Sequence, residues 1–251
     1  MSETTVPPVT PVPPAAPKDM GLMARAIGII TAPRETYTVV AAAPRWLGMA
    51  ILVILIVGGC QMWFQSTQIG KQATLDESVR RIESFGVTVS DQMYEETRKA
   101  IMNPPAWRIG LTVASIALGS LLVWAVMAGL LFLVFGVFTG GCATFKQLYA
   151  VVVHSGVISA LGTLFLTPLN YFRESLSSAT NLGVFMPFLP ESSFLGRLVG
   201  MVDLLLVWWV TSLAIGVAVT YKKKTAGVAI VLFGVYAVIA IGYAAFMAAR
   251  S

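Results

Sequence analysis

IGLTVASIALGSLLVWAVMAGLLFLVFGVF, Ile109–Phe138, runs thirty residues without a charged side chain. At a rise of about 1.5 Å per residue, such a helix would reach about 45 Å, well beyond the ~30 Å hydrocarbon core of a bilayer. It is apolar all round, which fits a membrane span that tilts or protrudes. On either side lie two more charge-free runs, Trp46–Gly70 and Thr225–Ala249, each longer than the ~20 residues needed to cross. Composition agrees: 57% of the chain is apolar and 12% is charged, against about 25% charged in a soluble domain. The expected fold class is all-α, a polytopic membrane protein with a bundle of about five transmembrane helices.

The membrane region is expected over 46–250, with spans at 47–64, 109–138, 145–169, 198–220 and 226–248. Trp46 and Trp63 frame the first span, as tryptophans at membrane–water interfaces do. The 145–169 segment holds Lys146, His154 and several small residues, so it either spans fully or re-enters. Residues 65–108 are polar. There Leu75, Val79 and Ile82 recur at helical spacing, as do Met93, Thr97 and Ile101 beyond Gly86, with Ser90 or Asp91 placed to cap. This predicts an outer hairpin of two short helices, ended by Asn103-Pro104-Pro105.

Residues 1–18 carry Pro7, Pro8, Pro11, Pro13, Pro14 and Pro17 and read as a disordered or polyproline-II tail. Residues 19–45 combine Leu22, Ile27, Ile29 and Ile30 with Arg25, Pro33 and Arg34, too charged a mixture to span. They are expected to form an interfacial amphipathic segment; the alternative is a helix packed under the bundle. Residues 170–196 mix Asn170, Pro187 and Pro190 with Phe185, Met186, Phe188 and Leu189, the pattern of a loop resting on the interface.

The net charge of +5 is spread along the chain, so no nucleic-acid face is expected. Its use is orientation. The short turn Tyr221-Lys222-Lys223-Lys224-Thr225 places its side, and with it the N-terminus, in the cytoplasm, and the C-terminus outside. Cys60 and Cys142 then open to opposite sides and are not expected to pair. No cleavable signal is expected, because the first long apolar run starts only at Leu47.

Motifs for chemistry are absent. There is no GxxxxGK[ST], HExxH or GxSxG, and no cluster of Cys with the single His, so no catalytic residue, cofactor or metal site is expected. Ionisable residues inside spans are functional candidates by default, because placing a charge there costs about 2.5–3.5 kcal/mol on insertion scales. Asp203, about five residues into the fourth span, is read as a hydrogen-bonded carboxylate near the outer interface, with Arg197 as a possible partner. His154 is read as a neutral interhelical hydrogen-bond partner, and Lys146 as a snorkelling residue at the inner boundary. Small residues spaced by four occur at Gly136/Gly140, Ser155/Ser159, Gly156/Ala160, Gly196/Gly200 and Ser212/Gly216, which lets helix backbones approach closely.

The order of parts, with certain residues, resembles the Yip (Rab-interacting protein) membrane family, in particular its small bacterial-type members. The carrying stretches are Ile27-Gly28-Ile29-Ile30-Thr31-Ala32-Pro33-Arg34-Glu35-Thr36, Pro44-Arg45-Trp46, Gly140-Gly141 and Thr144-Phe145-Lys146-Gln147-Leu148. Val202-Asp203-Leu204-Leu205-Leu206-Val207-Trp208-Trp209 follows, running to Leu213 and Gly216, and the likeness covers about 20–248. In eukaryotes the resemblance implies partners among small GTPases, bound through a longer cytosolic N-terminal domain. Here the proline-rich tail stands in that place, which argues against GTPase binding. For bacterial members it implies a plasma-membrane protein, an accessory to other membrane machinery.

The expected function is a non-enzymatic membrane scaffold that binds lipids and a membrane-protein partner or a second copy of itself. The alternative is an ion or small-molecule transport component, with Asp203 and His154 in a polar path.

Overall fold

The structure is a computed structural model and describes residues 20–137, 140–176, 178–190 and 193–248. The tail expected over 1–18 lies outside the described residues, as does Phe138 at the end of the expected second span. Among the described residues every regular element is helical. The chain is all-α, as its apolar runs require, because a backbone in lipid must satisfy its own hydrogen bonds.

Two short helices come first, α1 (Leu22–Thr31) and α2 (Pro33–Ala42). They are divided at Ala32, because Pro33 occupies the first helical position, where its missing N–H leaves nothing unpaired. Next come α3 (Leu47–Ser66) and α4 (Gln68–Ser84), whose N-cap Thr67 accepts from the Gly70 amide at 2.9 Å. After Gly86, which takes a left-handed φ of 78°, α5 (Asp91–Met102) starts on the Ser90 cap. The expected hairpin over 65–108 is thus α4 and α5, packed on each other. Lys71 donates to the Met102 carbonyl at 2.9 Å, which ties the start of α4 to the end of α5.

From Pro105 the chain enters α6 (Ala106–Phe132), which widens into a π-helical turn at Leu133–Val137. A capping box opens α7 (Phe145–Phe172): Thr144 accepts from the Gln147 amide, and Gln147 accepts from the Thr144 amide. The remaining helices are α8 (Phe194–Met201), α9 (Leu204–Thr220) and α10 (Thr225–Ala248).

Four stretches among the described residues are long and apolar enough to cross a membrane: Leu47–Ser66, Ala106–Gly136, Phe145–Arg173 and Thr225–Ala248. The fifth, α9, is apolar but has 17 residues, the lower end of the spanning range. The expected fourth span at 198–220 is not continuous, since the helix breaks at Val202-Asp203 into α8 and α9.

α7 is the centre of the bundle. In its apolar window 61% of the residues are buried, against 17% or 22% for the other three long helices. Its burial explains its composition: a helix surrounded by protein can carry small and polar residues that a lipid-facing helix would have to exclude. Around it pack α3, α6, α9 and the short pair α1 and α2.

Side-chain pairings give the helix directions. Trp46 meets Tyr149 with ring centroids 5.0 Å apart, and Trp63 meets Tyr171 at 5.5 Å, so α3 and α7 run parallel. Gly162 lies against Leu205, Ser155 against Trp209 and Val151 against Gly216, so α9 runs antiparallel to α7. One end of the bundle therefore collects Trp46, Tyr149 and Tyr221, and the other collects Trp63, Tyr171 and Asp203.

Candidate functional site

Where α7 faces α9 and the short pair, a line of polar side chains runs through the apolar core. Tyr37 of α2 is fully buried, and its ring lies along α9 from Gly216 to Ser212. The Tyr37 and Ser212 hydroxyls are 2.8 Å apart. Burial pushes the Tyr37 phenol well above its ordinary range, against the smaller opposing pull of the Ser212 bond, so it stays a neutral hydroxyl. One turn further, Trp209 Nε1 donates to Ser155 Oγ at 3.0 Å, and Ser155 Oγ donates to the Val152 carbonyl at 2.7 Å. These bonds tie α9 to both α2 and α7. Gln147 adds a tie at the bundle end, donating to the Ala41 carbonyl at 2.9 Å.

His154 lies beside this line with no exposed surface. Its Nδ1 is 2.7 Å from the Ala150 carbonyl, one turn back on its own helix. A carbonyl only accepts, so Nδ1 carries the proton and Nε2 is left as an acceptor, buried and without a partner. Arg25 of α1 is also buried, at 9% exposure, and lies within electrostatic reach of His154. Its Nη1 donates to the Arg45 carbonyl at 3.1 Å, while its Nε is buried without an acceptor.

Asp203 belongs to a different group. It sits at the N-cap of α9, one residue ahead of the helix, rather than within a continuous span. Oδ1 accepts from the Leu205 and Leu206 amides at 2.8 and 3.3 Å. Oδ2 accepts from Ser178 and Thr180 at 2.6 and 2.7 Å. Backbone bonds from Leu182 to Val202 and from Leu204 to Thr180 fasten the same loop to the helix break. Two hydroxyls and two amides thus satisfy the carboxylate, and none of these four bonds comes from Arg197, the partner that the sequence suggests. Tyr236 of α10 donates to the Met201 carbonyl just before the break.

Asp203 and His154 are not neighbours. Leu205 is level with Gly162, eight residues along α7 from His154, a rise of about 12 Å. Lys146 is exposed in the first turn of α7.

The small residues fall into two groups. A Cβ added at Gly216 would come within 2.5 Å of Val151 Cγ1 and 2.9 Å of the Tyr37 ring. At Gly156 it would meet Val53 at 3.3 Å, at Gly136 the Tyr221 hydroxyl at 3.2 Å, and at Gly196 the Pro190 carbonyl. Ser155, Ser212 and Ala160 are buried. By contrast, Gly140 and Gly200 have nothing within 4 Å of such a Cβ, and Ser159 is exposed. Gly140 has a left-handed φ of 66°, so its place is a turn.

Tyr37, Trp209 and Arg25 were not foreseen as members of a buried polar line. A Tyr between two Thr in a short polar helix gives no period that marks burial, and only the tertiary packing reveals it. Among the described residues no three His, Cys, Asp or Glu side chains converge as a metal site would need.

The model of one protein family, described as the Yip1 domain, matches residues 27–247. Neither the curated proteins nor the solved structures hold a match to the chain.

Proposed function

Since the chain belongs to the Yip1 domain family, we propose that it is a non-enzymatic membrane scaffold, binding membrane-protein partners or lipids through its outer helix faces. The observation that carries this reading is where polar and apolar groups have gone. Most polar side chains of the core are bonded to each other or to the backbone, and the outer faces of α6 and α10 are apolar and uncovered. On α6, Leu118 and Leu122 are 67% and 65% exposed; on α10, Ile230 and Val238 are 73% and 71% exposed. These faces suit lipid tails or a partner's helices.

The membrane proposed is a bacterial plasma membrane, with the N-terminus cytoplasmic. Cross-linking in native membranes, followed by purification in mild detergent, tests the scaffold reading. A reproducible partner or a second copy linked through α6 or α10 is the expected result. A monodisperse monomer with no cross-linked protein and no co-purifying lipid would overturn it.

Transport through Asp203 and His154 is the alternative. The separation of the two residues and the saturated carboxylate lend it no support. Ion flux in liposomes that Asp203→Asn abolishes would reverse that preference.

A further inference from the structure

The α4–α5 hairpin leaves a cavity of about 630 Å³ against the end of α3 and the start of α6, within the ~300–1,000 Å³ of sites that take small ligands. The two long helices set its shape. Gly58 of α3 lies beside Ile116 of α6, where an added Cβ would stand 3.5 Å from Ile116 Cγ2. Met62 and Ser66 on α3, and Thr112 and Arg108 on α6, follow at steps of four residues, and all four line the cavity. The helices are therefore close at Gly58 and parted beyond it, in a wedge about 12 Å long over eight residues.

The wedge changes character along that length. Met62, Ile109 and Thr112 line its membrane side, and Lys71 and Arg108 line its mouth. Trp63 and Trp107, 50% and 67% exposed, flank the mouth in sequence, which marks it as the membrane–water interface.

Both cations have donors to spare. Lys71 gives one of its three to the Met102 carbonyl at 2.9 Å, and Arg108 reaches the Ala100 carbonyl with one of its five, at 3.5 Å. No Asp or Glu lines the cavity. Among the described residues neither cation belongs to an ion pair. The start of α6 at Pro105 has no side-chain cap, and a free helix N-terminus also favours an anion.

We propose that the wedge binds an anionic phospholipid, its phosphate held by Lys71 and Arg108 and an acyl chain running past Met62 and Thr112. A free anion matches the mouth alone, and a neutral apolar molecule the membrane side alone. A molecule with a charged head and an apolar body matches both, and the guanidinium fork suits its phosphate. This rests on the lipid-binding part of the scaffold reading and gives it a site under the hairpin.

The test titrates the full chain in neutral detergent with phosphatidylglycerol, phosphatidylcholine or inorganic phosphate. Binding is read by native mass spectrometry, with melting temperature as the check on folding. Phosphatidylglycerol should bind, and phosphatidylcholine about tenfold more weakly. Arg108→Gln should weaken phosphatidylglycerol about tenfold, the scale of one lost charge-assisted bond. Arg108 is exposed, so this variant should melt like the parent. Thr112→Phe keeps both cations and fills the membrane side. It should weaken phosphatidylglycerol too, and it decides the matter if the Arg108 variant does not fold. Lys224→Gln removes a charge from the opposite end and should bind like the parent.

Equal affinity for the two lipids overturns the site, as does unchanged phosphatidylglycerol affinity in Arg108→Gln or Thr112→Phe. So does an equal loss in Lys224→Gln. Inorganic phosphate binding as tightly as phosphatidylglycerol overturns the lipid as the source. Lipid that co-purifies alike with the parent and both wedge variants defeats the wedge and leaves the scaffold reading standing. Lipid lost only from the wedge variants, with no cross-linked protein from the parent, upholds the wedge and defeats the protein-binding part of that reading.

Discussion

Asp203 shows how one carboxylate can fasten two elements. It caps α9 with two amides and gathers the 178–180 loop with two hydroxyls. Replacing an N-cap Asp by Ala costs about 1 kcal/mol in ordinary helices, and here the loop loses its anchor as well. Asp203→Ala is therefore expected to lower the melting temperature clearly, and Asp203→Asn much less, because Asn also caps. Equal losses in thermal unfolding would show that the charge, and not the cap, matters.

The Tyr37–Ser212 pair supports a second prediction. Tyr37→Phe and Ser212→Ala each strand a buried hydroxyl, at about 1–2 kcal/mol apiece. The double variant should lose less than the sum, since no orphan then remains. A double-mutant cycle in detergent checks this, and strict additivity would mean the two hydroxyls do not bond.

At the scale of elements, close approach of helices rests on individual glycines. Gly216 sits where α2, α7 and α9 converge, and the atoms nearest to it belong to Val151 and Tyr37, both fully buried. Gly216→Val should destabilise by about 1–3 kcal/mol, the range for overpacking. Gly200→Ala in α8 has open space and a better helix former, so its melting temperature should hold or rise. If both variants melt alike, the packing of α9 on α7 is looser than described.

How much of this the sequence disclosed differs from element to element. The long helices α3, α6 and α10 were legible because lipid demands unbroken apolar runs, and the α4–α5 hairpin because its cap and period are local. The break at Val202-Asp203 was not foreseen: it is flanked by apolar residues on both sides, and only the loop bonds from Ser178 and Thr180 make a cap worth more there than a continuous helix. Nor could spacing alone separate Gly216 from Gly200. Both stand in small-xxx-small pairs, and only the neighbours that fold against them differ.

At the scale of the whole molecule, the parallel run of α3 and α7 and the antiparallel α9 alternate as successive crossings of a membrane must. Cys60 lies near the far end of α3, and Cys142 is exposed just before α7. A membrane-impermeant maleimide should therefore label Cys142 from the side of the lysine turn and Cys60 from the opposite side. Labelling of both from one side of sealed vesicles would contradict the alternation.

The central place of α7 has a consequence for synthesis. A chain emerges from the ribosome with its N-terminal part first, so α1, α2, α3 and α6 are made before the helix that covers them. Ile29, Tyr37, Val40 and Val53, all buried in the finished protein, have no complete partner surface until residues beyond Thr144 are translated. A nascent chain stalled short of α7 holds two separately inserted helices and a pair of short ones with their inner faces bare. Such a fragment is expected to be degraded faster than the full chain, and a pulse-chase of a version truncated before Thr144 would show the difference.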